Sequence, residues 1–286
     1  MKHVSEFRHP QRVSRLVEQL HTEVTRPWRI MEICGGQTHS IYRHGLQQLI
    51  PDEVTLLHGP GCPVCVTPAR KIDLAVELSL RPHTVVCSFG DMLRVPGSKE
   101  SLLGAKARGG RVQLVTSPLG ALDIARQNPT AEIVFLGIGF ETTAPANAMA
   151  AFLAHKEGLS NFSLLLSQVT VPPAIRFLLS QPDTSIQGFL AAGHVCAITG
   201  YEAYHELAEG FGTPIAVTGF EPVDILLGLV DCIRLLERGM ARVTNSYQRA
   251  VTESGNRAAQ DRLAEVFELT DQEWRGIGMI PNSGLT

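Results

Sequence analysis

Two cysteines in the first quarter of this 286-residue chain have a spacing that supports chemistry. The stretch HGPGCPVC places Cys62 and Cys65 behind a Gly-Pro-Gly turn, with a proline and a valine between them. In an intracellular α/β protein, this CxxC spacing indicates a redox dithiol or half of a zinc site. The intervening proline restrains the loop and removes one backbone N–H, which suits two sulfurs held at bonding distance.

A third thiol, Cys34, opens the segment CGGQTH after a short apolar run. Two glycines follow it, so that backbone N–H groups can approach the sulfur. A helix that begins at Thr38 would favour the thiolate through its N-terminal dipole, and thiolates are the soft ligands that Fe, Zn and Cu(I) prefer. The alternative for Cys34 is a buried, small apolar residue. His39 is a candidate for the same space, with helix capping as its alternative.

Cys34, His39, Cys62 and Cys65 together offer three thiols and one imidazole, a complete tetrahedral zinc set. Such a set leaves no open position for chemistry, and structural zinc usually holds small loop-rich modules together. A thioredoxin-like CxxC, in turn, opens a helix just after the first strand of a small domain. Here it follows the second strand. The residues alone therefore leave the redox pair and the zinc site open.

One acid also follows a strand directly. Glu141 lies in the segment GFETTAPA, after the most apolar run of the chain. Thr142 and Thr143 are placed to cap the next helix, but capping does not explain the acid. A carboxylate at this position can accept protons or hydrogen bonds. The residues that we expect to serve packing or structure are Cys87, Cys196, Cys232 and His194.

Eight short apolar runs predict strands, and helical stretches lie between several of them. The runs are WRIMEI, VTLL, TVVCSF, VQLVTS, AEIVFLGIGF, FSLLLSQV, GFLAAG and PIAVTGF. Most are continuously apolar, as strands buried on both faces are. This alternation predicts an α/β fold with mainly parallel sheets. Because several polar loops follow these strands, we expect them to meet at the carboxyl edge of a sheet, where ligands bind.

The predicted organisation is two α/β domains, at residues 1–117 and 118–220, and a helical C-terminal segment at 221–286. Near the N-terminus, Val13, Leu16, Val17 and Leu20 have the spacing of an amphipathic helix. In the C-terminal segment, helices are predicted over 223–239, 245–255 and 256–269.

Composition excludes several classes of protein. The net charge is -3 and aromatic residues make up 6%, which argues against a nucleic-acid partner. The polar N-terminal segment has no apolar core of signal-peptide length, and no run reaches the roughly 20 apolar residues that span a bilayer. We therefore expect a cytoplasmic protein whose thiols stay reduced.

These loops together resemble the family of the hydrogenase maturation factor HypD. The motifs that carry the resemblance span essentially the whole chain: MEICGGQTHSIYRHG, LLHGPGCPVCVTP, GIGFETTAP, AAGHVCAITGYEAY, GFEPVDIL, NSYQRAV and EWRGIGMIPNSGL. The resemblance implies α/β domains around a cleft. It also implies a scaffold on which an Fe(CN)2CO unit is assembled for the large subunit of [NiFe]-hydrogenase. The implied partners are a HypC-type small chaperone, a HypE-type cyanide donor and, transiently, that large subunit.

The resemblance also assigns roles by motif. Cys34 would be an iron-binding thiolate, together with a cysteine of the HypC-type partner. Cys62 and Cys65 would be a nearby dithiol, and His39 and Glu141 would line the same cleft. Some members carry histidine where this chain has Gln37, so the resemblance gives no metal or proton role to that residue.

The family continues into a cysteine-rich segment that binds a [4Fe-4S] cluster, whereas this sequence ends at Thr286. We expect the chain as given not to bind that cluster. The leading hypothesis is therefore an assembly scaffold with redox-active thiols, not an enzyme with independent turnover. The alternatives are a thiol-disulfide oxidoreductase that uses Cys62 and Cys65, and a Cys3His zinc-binding protein.

Overall fold

The computed structural model describes residues 5–286. Its strands are, in chain order, β1 (Trp28–Glu32), β2 (Val54–His58), β3 (Thr84–Ser88), β4 (Val112–Leu114), β5 (Glu132–Gly139), β6 (Phe162–Val169), β7 (Gly188–Ala192), β8 (Ile215–Thr218), β9 (Val243–Asn245), β10 (Leu269–Trp274) and β11 (Gly278–Leu285). Its α-helices are α1 (Pro10–Glu23), α2 (Gly35–Arg43), α3 (Ala69–Leu80), α4 (Leu102–Ala107), α5 (Pro118–Gln127), α6 (Ala144–Glu157), α7 (Val171–Leu179), α8 (Gly193–Thr199), α9 (Glu202–Phe211), α10 (Pro222–Glu237) and α11 (Arg257–Val266). Short 3-10 helices occur at Ser5–Phe7, Leu46–Gln48 and Met92–Arg94.

The α/β class and the mainly parallel sheets are confirmed. All eight apolar runs form strands, β1 to β8, as predicted. No helix within residues 5–286 has the length and apolar character that crossing a membrane requires.

The chain forms two compact units, each made of two separate pieces. The first unit takes residues up to Cys62 together with Ala174–Arg257, and the second takes Pro63–Pro173 together with Ala258–Thr286. These bounds differ from the predicted ones, because residue 117 lies inside the second unit and the segment 221–286 is divided between both. Pairing between β1 and β7, which are distant in the chain, determines the division, and no local change of composition reveals such a pairing.

The first unit contains a fully parallel sheet with the strand order β2-β1-β7-β8-β9. Helix α10 covers it and packs in turn against α1. The apolar face predicted for α1 is confirmed, because Leu20 is fully buried and Val13, Leu16 and Val17 pack against the same core. This layering fixes β1 in the interior of the sheet, so that the turn after it is held by neighbours on both sides.

The second unit contains a six-stranded sheet with the order β10-β11-β6-β5-β3-β4. The strands β6, β5, β3 and β4 run parallel, whereas β11 and β10 add an antiparallel edge. Strand β5 is buried along its whole length after the exposed Glu132. Its continuous apolar sequence is therefore that of a central parallel strand.

The C-terminal segment is less helical than predicted. Helices α10 and α11 form as expected, but residues 245–255 contain a strand end and turns instead of a helix. The Asn245 side chain replaces helical hydrogen bonds there: its Nδ2 donates to Val251 O (2.9 Å) and its Oδ1 accepts from Tyr247 N–H (2.9 Å). Strands β9, β10 and β11 were not predicted. Strand β9 has only three residues, and β11 contains glycine, proline and asparagine, which strands usually lack.

Helix α10 lies close to β8 at Gly228. A Cβ at this position would lie 2.1 Å from Thr218 Cγ2, which is well inside contact distance. We expect Gly228→Ala to lower the free energy of unfolding by about 1–3 kcal/mol, because overpacking outweighs the roughly 1 kcal/mol gain in helix propensity. Denaturant unfolding followed by circular dichroism measures this change.

Gly210→Ala in α9 is the matched control, because a Cβ there would meet no atom within 4 Å. That variant is expected to be as stable as the parent or more stable by up to about 1 kcal/mol. Equal stability of Gly228→Ala and the parent would contradict the packing described here.

Candidate functional site

Cys34 lies at the junction of β1 and α2. The helix begins at Gly35, not at Thr38 as supposed from the sequence, so Cys34 is its N-cap. The side chain is 7% exposed, and Sγ accepts a hydrogen bond from Gly36 N–H at 3.3 Å. Burial raises the pKa of the Cys34 thiol and the nearby Glu32 charge adds to this, while the amides of Gly36 and Gln37 act in the opposite direction. The thiol form is therefore favoured when no cation is present.

The backbone of the turn after β2 packs against the backbone of Cys34. A Cβ at Gly61 would lie 2.4 Å from Cys34 Cα and 2.5 Å from Cys34 N, so only glycine fits here without a shift. Two hydrogen bonds join the turns: Gly35 N–H donates to Gly61 O (3.0 Å) and Gly59 N–H donates to Glu32 O (2.8 Å). The segments CGGQTH and HGPG are thus one structural feature of the first unit.

The imidazole that contacts the thiol is that of His194, at the start of α8. Its Nδ1 and Nε2 lie 3.9 and 3.8 Å from Cys34 Sγ, so that either nitrogen is near the sulfur. The ring packs against Phe220 with centroids 5.0 Å apart, and Phe220 meets Tyr247 edge-on. Burial lowers the pKa of His194 and keeps the imidazole neutral. The sequence predicts a structural role for His194, because the proximity of this residue to Cys34 depends on the pairing of β1 with β7.

A buried carboxylate, that of Glu32, contacts the backbone of Cys34 and was not among the site residues predicted from the sequence. Glu32 is 0% exposed, and its Oε2 accepts from Cys34 N–H at 3.0 Å. Its Oε1 accepts from Thr38 Oγ1 and lies 2.7 Å from His58 Nδ1. The His58 Nε2 in turn lies 3.1 Å from the hydroxyl of Tyr42. The signal in the sequence was an acid at the end of an apolar strand, but its partner is visible only once β1 and β2 are in register.

Gln37 is fully buried and connects α2 to the sheet. Its Nε2 donates to Thr218 Oγ1 at 2.8 Å and to Ala191 O at 3.3 Å. The other amide atom, Oε1, is buried without a hydrogen-bond partner. The contacts of Gln37 are thus those of a residue that supports the first turn of α2.

Cys62 and Cys65 are disulfide-bonded in the structure, and Cys34, Cys87, Cys196 and Cys232 form no disulfide. The residues after Cys62 form turns, and α3 begins only at Ala69. This local structure differs from a thioredoxin-like CxxC, which opens a helix. Two sulfurs in a disulfide are not thiolates, so the four-residue zinc set is not assembled.

His39 is exposed on α2, five residues after Cys34. The structure therefore brings His194, and not His39, against the thiol. Within residues 5–286, no group of three or more His, Cys, Asp and Glu side chains is arranged to hold a metal ion.

Glu141 belongs to the second unit and follows β5, as the sequence indicated. Its side chain is 3% exposed, and Oε1 accepts from Val171 N–H, the first amide of α7, at 2.8 Å. The second oxygen, Oε2, is buried without a partner. Burial raises the pKa of Glu141 to about 7, and the backbone hydrogen bonds to its carboxyl group offset only part of this rise. The carboxyl group can therefore gain or lose a proton near neutral pH.

The fold and these residues define a class: an α/β protein that holds a buried cysteine at the carboxyl edge of a parallel sheet. A family model named HypD, described as the hydrogenase formation hypA family, matches residues 11–286. The chain is 46% identical to the hydrogenase maturation factor HypD of Rhodobacter capsulatus, over the whole chain and 78% of that protein. It is also 46% identical to HypD of Escherichia coli K12, covering 79% of that protein, and 44% identical to HypD2 of Bradyrhizobium diazoefficiens, covering 78%. The chain belongs to the HypD family of hydrogenase maturation factors.

The buried Glu141 carboxyl predicts a pH-dependent stability. Its pKa is raised on folding, so the folded state binds the proton more tightly and the contribution of this group to stability falls as pH rises from 4.5 to about 7. Glu141→Gln does not titrate. The variant should therefore gain stability relative to the parent across this range, by up to about 3 kcal/mol.

Denaturant unfolding at several pH values between about 5 and 8 measures this difference. Glu132→Gln, at the exposed start of the same strand, controls for the loss of one negative charge. Parallel pH profiles of the parent and Glu141→Gln would contradict the effect of burial.

Proposed function

We propose that this protein is a scaffold for assembly of the Fe(CN)2CO unit of [NiFe]-hydrogenase, with Cys34 as its iron-binding thiolate. The observation that carries the proposal is the surroundings of Cys34 in a chain of the HypD family: a strand-end sulfur, a backbone N–H donor and an adjacent neutral imidazole. Iron is the substrate here, bound and then passed on. The partners are a HypC-type small chaperone that supplies a second cysteine, a HypE-type cyanide donor and, transiently, the hydrogenase large subunit.

The chemistry of the thiol supports this role. A buried thiol keeps its proton until a cation replaces it, because an isolated thiolate is poorly solvated there. Iron with cyanide and carbonyl ligands takes soft sulfur donors. The proton that leaves Cys34 Sγ has an acceptor within 3.9 Å, at Nδ1 or Nε2 of His194. Gly36 N–H then stabilises the remaining negative charge on the sulfur.

Cys62 and Cys65 are proposed to be a redox pair. Two thiols can release two electrons and two protons and become the disulfide, and the reverse step consumes the same number. In the cytoplasm, the proposed location, the pair is reduced unless it is oxidised in its own reaction. Their disulfide makes the pair more consistent with this role than with the zinc alternative. Glu141, with its pKa near 7, is a candidate to exchange a proton during assembly.

Cys34→Ser tests the iron ligand. We expect the variant, copurified anaerobically with its small partner protein, to lose the iron that the parent complex retains, because a neutral hydroxyl is a poor soft donor. Iron analysis and the infrared bands of cyanide and carbonyl measure the loss. Cys87→Ala, a free cysteine buried in the second unit, is the control and should keep parental iron. Iron retention by Cys34→Ser equal to that of the control would reject the proposed ligand.

The redox pair has a separate test. We expect Cys62 and Cys65 to be alkylated together as the buffer potential is lowered, with the reduced-to-oxidised ratio changing tenfold per about 30 mV, as a two-electron couple requires. Peptide mass spectrometry after alkylation at fixed potentials measures this, with Cys232 as a buried internal reference. Stoichiometric zinc that protects both thiols would instead support the zinc-binding alternative.

A further inference from the structure

Glu32 has an unusual position for a carboxylate. It ends a central strand of the first unit, and its side chain is completely buried. Desolvation raises the pKa of Glu32, and the hydrogen bonds to Thr38, His58 and the Cys34 amide offset only part of this effect. Backbone hydrogen bonds from Gly35 and Gly59 already join the turn after β1 to the turn after β2. The fold therefore has a connection between these turns that does not need this side chain.

The contacts of Glu32 converge on Cys34. One oxygen accepts from Cys34 N–H at 3.0 Å, an amide that precedes α2. The other oxygen holds Thr38, one turn into the helix, and His58, the paired residue on β2. One carboxylate thus fixes the backbone before the thiol, the helix after it and the adjacent strand.

This arrangement determines where the sulfur points. The backbone of Cys34 is extended, with φ -146° and ψ 126°. The hydrogen bond from Cys34 N–H to Glu32 Oε2 restrains the backbone dihedral angles of Cys34. These angles set the direction of the Cα–Cβ bond. Sγ is then held where Gly36 N–H and the His194 ring both reach it.

We infer that Glu32 is a positioning residue for Cys34, which holds the thiol in a single orientation through the Cys34 N–H, Thr38 and His58. The benefit of a fixed sulfur rests on the proposed function, because a single orientation of Cys34 Sγ is useful for binding iron in one direction. The geometry itself can be tested without iron.

The test uses the rate at which iodoacetamide alkylates Cys34 in the 286-residue chain with the Cys62–Cys65 disulfide formed. Cys34 is the least buried of the four cysteines outside the disulfide, and Cys87, Cys196 and Cys232, all 0% exposed, are internal references. The rate is followed with pH up to its alkaline plateau. A changed midpoint reports the charge near the thiol, and a changed plateau reports access to the sulfur.

Glu32→Ala removes the three contacts and is expected to raise the plateau rate of Cys34 by about threefold or more, because the turn is released. Glu32→Gln can still accept from Cys34 N–H and is expected to keep the plateau within about twofold of the parent, with a midpoint at lower pH. Glu18→Ala, which removes an exposed acid on α1 of the same unit, should change neither the plateau rate nor the pH midpoint of Cys34 alkylation.

Glu32→Asp provides a second variant if the alanine variant does not fold. Its shorter side chain cannot reach both Cys34 N–H and His58, so the plateau should rise above that of Glu32→Gln. An unchanged plateau in Glu32→Ala or Glu32→Asp would overturn the inference. So would a plateau in Glu32→Gln as high as that in Glu32→Ala.

An iron measurement on the same variants, in complex with the small partner protein, separates this inference from the proposed function. Glu32→Gln should retain parental iron and the parental cyanide and carbonyl infrared bands, whereas Glu32→Ala should lose iron or broaden those bands. If the parent complex holds no iron but the alkylation pattern is as expected, the proposed function fails and the positioning role stands. If the alkylation plateaus are all equal, the positioning role fails whatever the iron content is.

Discussion

The approach of Gly61 to the backbone of Cys34 is the contact on which the strand-end turns of the first unit depend. The two turns leave β1 and β2 side by side because these strands are in register up to Glu32 and His58. At this distance no side chain fits between them. The turn that carries Cys34 and the turn that leads into Cys62 are therefore constrained to move together. The location of both turns therefore depends on the glycine at position 61.

The surroundings of Cys34 balance two opposing effects. Burial disfavours the thiolate, whereas the amides at the start of α2 favour it. Two consecutive glycines allow Gly36 N–H to reach the sulfur, which a bulkier residue facing Phe220 would hinder, since a Cβ at Gly36 would lie 3.2 Å from that ring. The result is a thiol that is protected while protonated and has a charge-stabilising donor ready when the proton leaves. A buried thiol of this kind reacts slowly with small oxidants while it stays protonated.

The sequence was informative about strands and much less so about tertiary neighbours. Continuous apolar runs identified β1 to β8 because buried parallel strands have no polar face to interrupt the pattern. The antiparallel strands β10 and β11 could not be predicted from the sequence, because β11 contains Pro281 and Asn282. The stability of β11 comes from its pairing with β6 and β10. Likewise, Cys34 and Glu141 were recognisable as strand-end residues. His194 and Glu32 were not, since their roles depend on which strands lie next to β1.

The division of the first unit into two chain segments has a consequence for how the protein is made. Strand β1 pairs Ile30 with Gly188 of β7, so one side of it stays open until more than half of the chain has left the ribosome. Strand β9 and the loop to residue 257 come later still. Contacts between distant segments slow folding, and unpaired strand edges invite association in the interval. The second unit can assemble its four parallel strands from the continuous piece Pro63–Pro173 while the first is waiting. The piece Ala258–Thr286, which supplies β10 and β11, is made after residue 257, so the second unit is completed only after all of the first unit has been synthesised.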